Sequence, residues 1–187
     1  YSQVSTRSIS HQRTQKNNQN LKIAILSCFY PYRGGISQFN ACLYGELSKE
    51  HVVRAFNFKR QYPEFLFPGK TQFVTEDDEA VPVESTSLLD TANPFTYIST
   101  YRAIRDWEPD VLIVRYWMSY FGPSLGYITR KMKKHCKVIS ILDNVIPHEP
   151  HFFDEPLTKY FLKGSTGSVT LGEAVSKDRL NIQPDAR

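Results

Sequence analysis

An alternation constrains this chain more than any other feature: short, almost continuous apolar runs, each followed by a segment whose apolar residues recur every three to four positions. The first run is "LKIAILSCF", Leu21 to Phe29, bounded by a Pro and Gly cluster. It reads as a strand buried on both faces. After the glycine pair Gly34 and Gly35, a helix is predicted in which Ile36, Asn40, Leu43 and Leu47 form one stripe, with Phe39 beside them. Glu46, Lys49 and Glu50 fall on its wet side. The strand "HVVRAFNF" follows at once. Strand, glycine turn, helix, strand is a βαβ unit, the connection that joins parallel strands.

The alternation then repeats. "PFTYISTYRAIRDW" carries Phe95, Ile98, Tyr101 and Ile104 at helical spacing, with Pro94 suited to the opening turn. "PDVLIVRYW" reads as a buried strand, and "FGPSLGYITRKMKKH" as a helix with Phe121, Leu125, Ile128 and Met132 on its apolar side. The strand "CKVISIL", the short helix "DEPLTKYFLKG", the weak strand "GSVTL" and the segment "GEAVSKDRL" complete the series. The fold class predicted is α/β, a Rossmann-like parallel sheet with helices on both faces. Residues 59 to 93 show no clean period, and their aromatic and proline content predicts a packed loop over the sheet edge.

Length and charge limit the alternatives. At 187 residues the chain fits one domain, residues 21–187, preceded by a polar tail or leader over residues 1–20 that lacks the apolar stretch of a signal peptide. No apolar run approaches the roughly 20 residues that span a bilayer. With 23 basic and 19 acidic residues the net charge is only +4, so no nucleic-acid partner is expected. Cys28, Cys42 and Cys136 are odd in number and widely spaced, which argues against a disulfide framework or a metal knuckle and for a reducing, cytoplasmic compartment. "EDDE", Glu76 to Glu79, reads as a solvated loop.

Candidate functional residues gather at the predicted carboxyl ends of strands, where open α/β sheets bind ligands. Gly34 and Gly35 occupy the first strand-to-helix loop; they suit either a plain turn with tight packing or the close approach of a phosphate to the N–H groups of Ile36 to Gln38. The spacing is not that of a dinucleotide fingerprint, and no P-loop occurs. Asp143 and Asn144 follow the strand "CKVISIL", placed to orient a sugar hydroxyl or act as a base, or simply to cap the next turn. His148 suits an acceptor or phosphate contact, or an exposed loop position. No metal is expected: His148, Glu149, His151, Asp154 and Glu155 lack helical ligand spacing, and Pro147 and Pro150 break the helix that would align two imidazoles. Arg115 can meet an anionic group, and Trp117, with Tyr116, Tyr120 and Phe121, can stack on a sugar or fill the core. The cations of "RKMKKH", Arg130 to His135, oppose the negative end of a helix dipole or face an anionic membrane.

The order of several fragments resembles the amino-terminal domain of a bacterial family-4 glycosyltransferase of the GT-B fold. These fragments are Tyr62–Pro63 with Leu66 to Gln72, Pro94 to Val111, Tyr116 to Gly126, Asn144 to Glu149 and Leu157 to Leu162. The chain departs from that pattern at Asp143, where the branch has His, and at Leu171–Gly172 before Glu173, where it has a polar pair. The resemblance implies transfer of a hexosyl unit, with retention, from a nucleotide-sugar co-substrate to a glycan or lipid-linked acceptor, without metal or other cofactor. Gly34 and Gly35 would match the family's glycine loop beside the donor diphosphate and the acceptor. Asp143, Asn144 and His148 would be the catalytic candidates; Gly34, Gly35, Ile36, Arg115 and Trp117 would bind substrate. The nucleotide would be held by a carboxyl-terminal domain beyond Arg187, without which the chain is expected to be inactive. Cytoplasmic polysaccharide biosynthesis, with a peripheral contact at the inner membrane face, is the setting implied. A non-catalytic Rossmann-like docking module is the rival reading, and a nucleotide-dependent oxidoreductase or methyltransferase fits less well because no acid follows the second strand.

Overall fold

The structure is a computed structural model that describes residues 20–63, 72–75, 80–145 and 151–182. Among these residues six parallel strands form one sheet in the order β3-β2-β1-β4-β5-β6. In chain order the elements are β1 (Lys22–Leu26), α1 (Gly35–Leu47), β2 (Val52–Arg60), β3 (Ser85–Asp90), α2 (Pro94–Asp106) and β4 (Val111–Tyr116). They continue with α3 (Gly122–Met132), β5 (Lys137–Leu142), α4 (Asp154–Leu162), β6 (Gly167–Thr170) and α5 (Glu173–Ile182). This is the Rossmann-like α/β fold that the apolar alternation predicts.

The period-two geometry of a strand divides the core between the two faces of the sheet. On β1, Ile23 and Ile25 join Phe29 and Ala55 beneath Leu43, Tyr44 and Leu47 of α1. Ala24 and Leu26 point the other way, into the larger core closed by Ile104 of α2, by Leu125, Ile128 and Met132 of α3, and by Phe161 of α4. The stripe predicted for α3 is therefore the buried one. Right-handed crossovers account for this division: the chain moves one way across the sheet through α1 and the other way through α2, α3 and α4.

Two sequence expectations require correction. Residues 59 to 93 are not only a packed loop: Ser85–Asp90 is the edge strand β3, paired with β2 through two register shifts and an Arg60–Asp90 ion pair. Its sequence, STSLLD, buries only Leu89 fully, so no apolar run marks it. The second correction concerns the face of α2. Phe95 is 80% exposed and Ile98 is also exposed, whereas Thr100 and Ile104 are buried and Tyr97 and Tyr101 pack against the core. Tyrosine rings fill the interface while a hydroxyl reaches a carbonyl, as Tyr97 Oη does at Thr91 O (2.5 Å). Asn93 caps this helix by accepting from the Phe95 N–H, with Pro94 in its first turn.

Candidate functional site

The strand order reverses between β1 and β4, so the loops after these two strands diverge and leave a crevice at the carboxyl edge. The loop after β1 is fixed from two sides. On one side, the buried Asn57 of β2 accepts from the Phe29 N–H (3.1 Å) and donates to Tyr30 O (3.0 Å) and Ser85 Oγ (3.2 Å). On the other, residues 72–74 bridge it: Arg33 N donates to Gln72 O, Val74 N donates to Pro31 O, and the Tyr32 and Phe73 rings stack at 5.2 Å.

At the end of this clamped loop stand the two glycines. Gly34 has φ 104° and ψ 173°, a conformation open essentially to glycine alone. A Cβ built on either glycine meets none of the described residues within 4 Å, so tight helix–sheet packing does not explain the pair. Among the described residues no side chain caps α1, and its first intrahelical bond runs from Gln38 N to Gly34 O. The N–H groups of Gly35, Ile36 and Ser37 consequently face out of the helix end, where the dipole is positive. The cleft alongside, lined by Tyr32, Arg33, Ser37 and Gln38, has a volume of about 20 Å³, so a larger ligand must lie over the glycines.

One turn further along α1, Asn40 and Phe39 meet the second constellation. Asn40 Nδ2 donates to Ser27 Oγ and Cys28 O, both at 2.8 Å, and its Oδ1 accepts from Arg115 Nη1 at 3.5 Å. Arg115, at the end of β4 and only 5% exposed, grips Asp143 with both prongs: Nε to Oδ2 at 2.7 Å and Nη2 to Oδ1 at 2.5 Å. The parallel register sets Arg115 opposite Ile141, which brings Asp143 onto the same face just beyond the end of β5. The Phe39 ring lies 4.3 Å from the guanidinium carbon and covers it.

The expected residues are thus partly brought together. Gly34, Gly35 and Ile36 open α1, and Arg115 and Asp143 share the adjoining crevice. Arg115, expected to meet a ligand's anionic group, here meets the carboxylate of Asp143 instead, and Asp143, expected as a base, has both oxygens engaged. Asn144 is exposed beside them. Trp117 is half-buried with its ring against Phe121 (4.5 Å) and Phe58 (6.0 Å), so part of its surface belongs to the core. His148 lies outside the described residues, as do residues 1–19, the acidic run Glu76 to Glu79, and the glutamate and prolines beside His148. Among the described residues no group of three His, Cys, Asp or Glu side chains is placed to hold a metal.

Asn40, Asn57 and Phe39 are site residues that the motif reading missed. The signal for the asparagines is an amide inside an apolar stripe or an apolar run, since a buried amide requires partners. The thiol nearest the crevice, Cys28, is pushed up to about 12 by burial, with Arg115 lowering it in part, so it stays protonated at neutral pH.

No family model and no curated protein matches the chain. Among solved structures it is similar to a protein of unknown function from Vibrio parahaemolyticus RIMD 2210633, at 13% identity, covering 86% of this chain and 98% of that one with a TM-score of 0.37.

Proposed function

We propose that the chain is the acceptor-side half of a retaining glycosyltransferase, acting with a nucleotide-sugar donor on a hydroxyl of a glycan or lipid-linked acceptor. The observation that carries this reading is Gly35. Its backbone is ordinary and a Cβ there meets none of the described residues, so neither strain nor their packing calls for glycine at the first position of α1. A bare Cα there lets an oxyanion such as a departing diphosphate approach three N–H groups that no described side chain caps. Transfer with retention asks this half for positioning and charge stabilisation rather than for a protein nucleophile.

The neighbouring groups fit that division of labour. Arg115 and Asp143, locked together and braced by Asn40, are positioning residues that hold the mouth of the crevice rigid. Asn144, exposed at its rim, can both donate to and accept from an acceptor hydroxyl. In this reading the nucleotide is held by a second domain, no metal takes part, and the work is done in the cytoplasm, where nucleotide sugars are found. Among the described residues no helix is long and apolar enough to cross a membrane.

Ligand-observed NMR on the purified chain, with one panel of nucleotide sugars and another of short glycans, tests the reading. Glycan signals that Gly35→Val abolishes at an unchanged melting temperature are the expected result, with nucleotides binding weakly. Tight nucleotide binding without glycan binding would overturn it in favour of a nucleotide-dependent oxidoreductase or methyltransferase, and silence in both panels in favour of a docking module.

A further inference from the structure

Away from the crevice, α3 and α4 pack side by side and present a ridge with a sharply uneven composition. Phe152, 93% exposed, and Phe153, 41% exposed, stand immediately before α4. The outward positions that follow are Pro156, Lys159, Tyr160 and Lys163, and α3 lays Arg130, Lys133 and Lys134 alongside them. Six cations thus stand along these two helices, counting Lys131, against the single exposed carboxylate Glu155, which is paired with Lys159 at 2.6 Å. The whole chain carries a net charge of only +4, so the exposed charge of these two helices alone is at least as large.

Helix-dipole compensation accounts for little of this. The Arg130 guanidinium lies over the Tyr160 ring at 4.7 Å, and Lys131 leans over Tyr127 at 5.9 Å; both lie sideways against aromatic rings rather than over the carboxyl end of α3. Lys133 alone binds a carbonyl, that of Lys163 in the neighbouring element (2.9 Å). Lys134 and Lys163 extend from the surface with exposed side chains.

We infer that the α3–α4 ridge docks on an anionic phospholipid surface, Phe152 and Phe153 entering the headgroup layer while the cations bind lipid phosphates. One feature favours a bilayer over nucleic acid. The exposed phenylalanines of this ridge, Phe152 and Phe153, have no polar tip and stand together at one end, whereas surfaces that bind single strands interleave rings and cations along a groove. The same end of the ridge lies at the carboxyl edge of the sheet, so docking would bring the crevice beside the headgroups. This inference does not depend on the transferase reading.

Co-sedimentation of the chain with vesicles of phosphatidylcholine alone, or mixed with phosphatidylglycerol, tests it at low and high salt. Binding is expected only to the mixed vesicles and is expected to weaken with salt. Each cation near such a surface changes partitioning about fivefold, so Lys134→Ser with Lys163→Ser should lower it about thirtyfold. Phe152→Ser with Phe153→Ser should remove the part that survives high salt. The control pair Arg102→Ser with Lys177→Ser changes the net charge equally on exposed positions of α2 and α5 and should leave binding intact. Equal loss in the control pair, equal binding to neutral vesicles, no binding at all, or complete displacement by an oligonucleotide at equal charge concentration would each overturn the inference.

Discussion

Gly34 and Gly35 are adjacent and chemically identical, yet the backbone asks different things of them. Gly34, at φ 104° and ψ 173°, sits where an L side chain is strained whatever the space, so Gly34→Ala should cost about 1–3 kcal/mol. Gly35 has no such constraint, and its replacement by Ala should leave stability unchanged or raise it by up to about 1 kcal/mol, because glycine is a poor helix residue. Urea unfolding of the two variants distinguishes these roles; equal losses would mean that Gly35 is structural and would remove its claim to a ligand. The sequence shows both glycines and both members of the Arg115–Asp143 pair, but not that the pair closes on itself. That contact depends on the register of β4 against β5, which no local pattern encodes. The bracing by Asn40 is hidden for the same reason, although an amide in an apolar stripe marks the position.

At the scale of elements, α4 is tied to the segment before α3 through its first residue. Asp154 is buried; one of its oxygens accepts from the Ser119 hydroxyl, and the other accepts from the His151 N–H at 2.6 Å, with His151 Nδ1 3.4 Å away. Burial alone would raise the carboxyl's pKa, but these hydrogen bonds together outweigh it and hold the pKa below the ordinary 3.8. A carboxyl depressed in the folded state contributes stability above its unfolded pKa and loses that contribution as pH falls through the folded value. The α4 anchor should therefore hold at pH 7 and weaken below about pH 4. Urea midpoints of the parent and of Asp154→Asn should differ at neutral pH and draw together as the pH falls below the ordinary 3.8; a gap that stays constant would show that the carboxylate's charge is irrelevant. Elements differ in how openly the sequence declares them. β1, β4 and β5 are read directly because both faces are covered and nearly every residue is apolar. β3 is missed because an edge strand with one fully buried side chain needs no such run, and the face of α2 is misread because tyrosines, not Phe95 and Ile98, turn inward.

For the molecule as a whole, what the sequence leaves out is strand order, and strand order makes the site. Alternating elements imply a parallel sheet, but only the observed order makes β1 and β4 neighbours and so lets the glycine loop and Arg115 share one crevice. The same order sets a gradient of stability. β1 and β4 are paired on both sides and covered on both faces, whereas β6 has four residues, Val169 half-exposed and, among the described residues, one paired edge, and α5 rests chiefly on β6. β3, at the opposite edge, pairs through two register shifts. Local opening follows such differences in burial and pairing. Hydrogen exchange resolved by peptide should therefore show β1 and β4 exchanging only with global unfolding, and β6 with α5 exchanging through a separate, cheaper opening that urea accelerates less. Were β6 and α5 protected as strongly as β1 and β4, the sheet would be one cooperative unit from edge to edge. The carboxyl-terminal strand and helix would then belong to the rigid frame that holds the crevice.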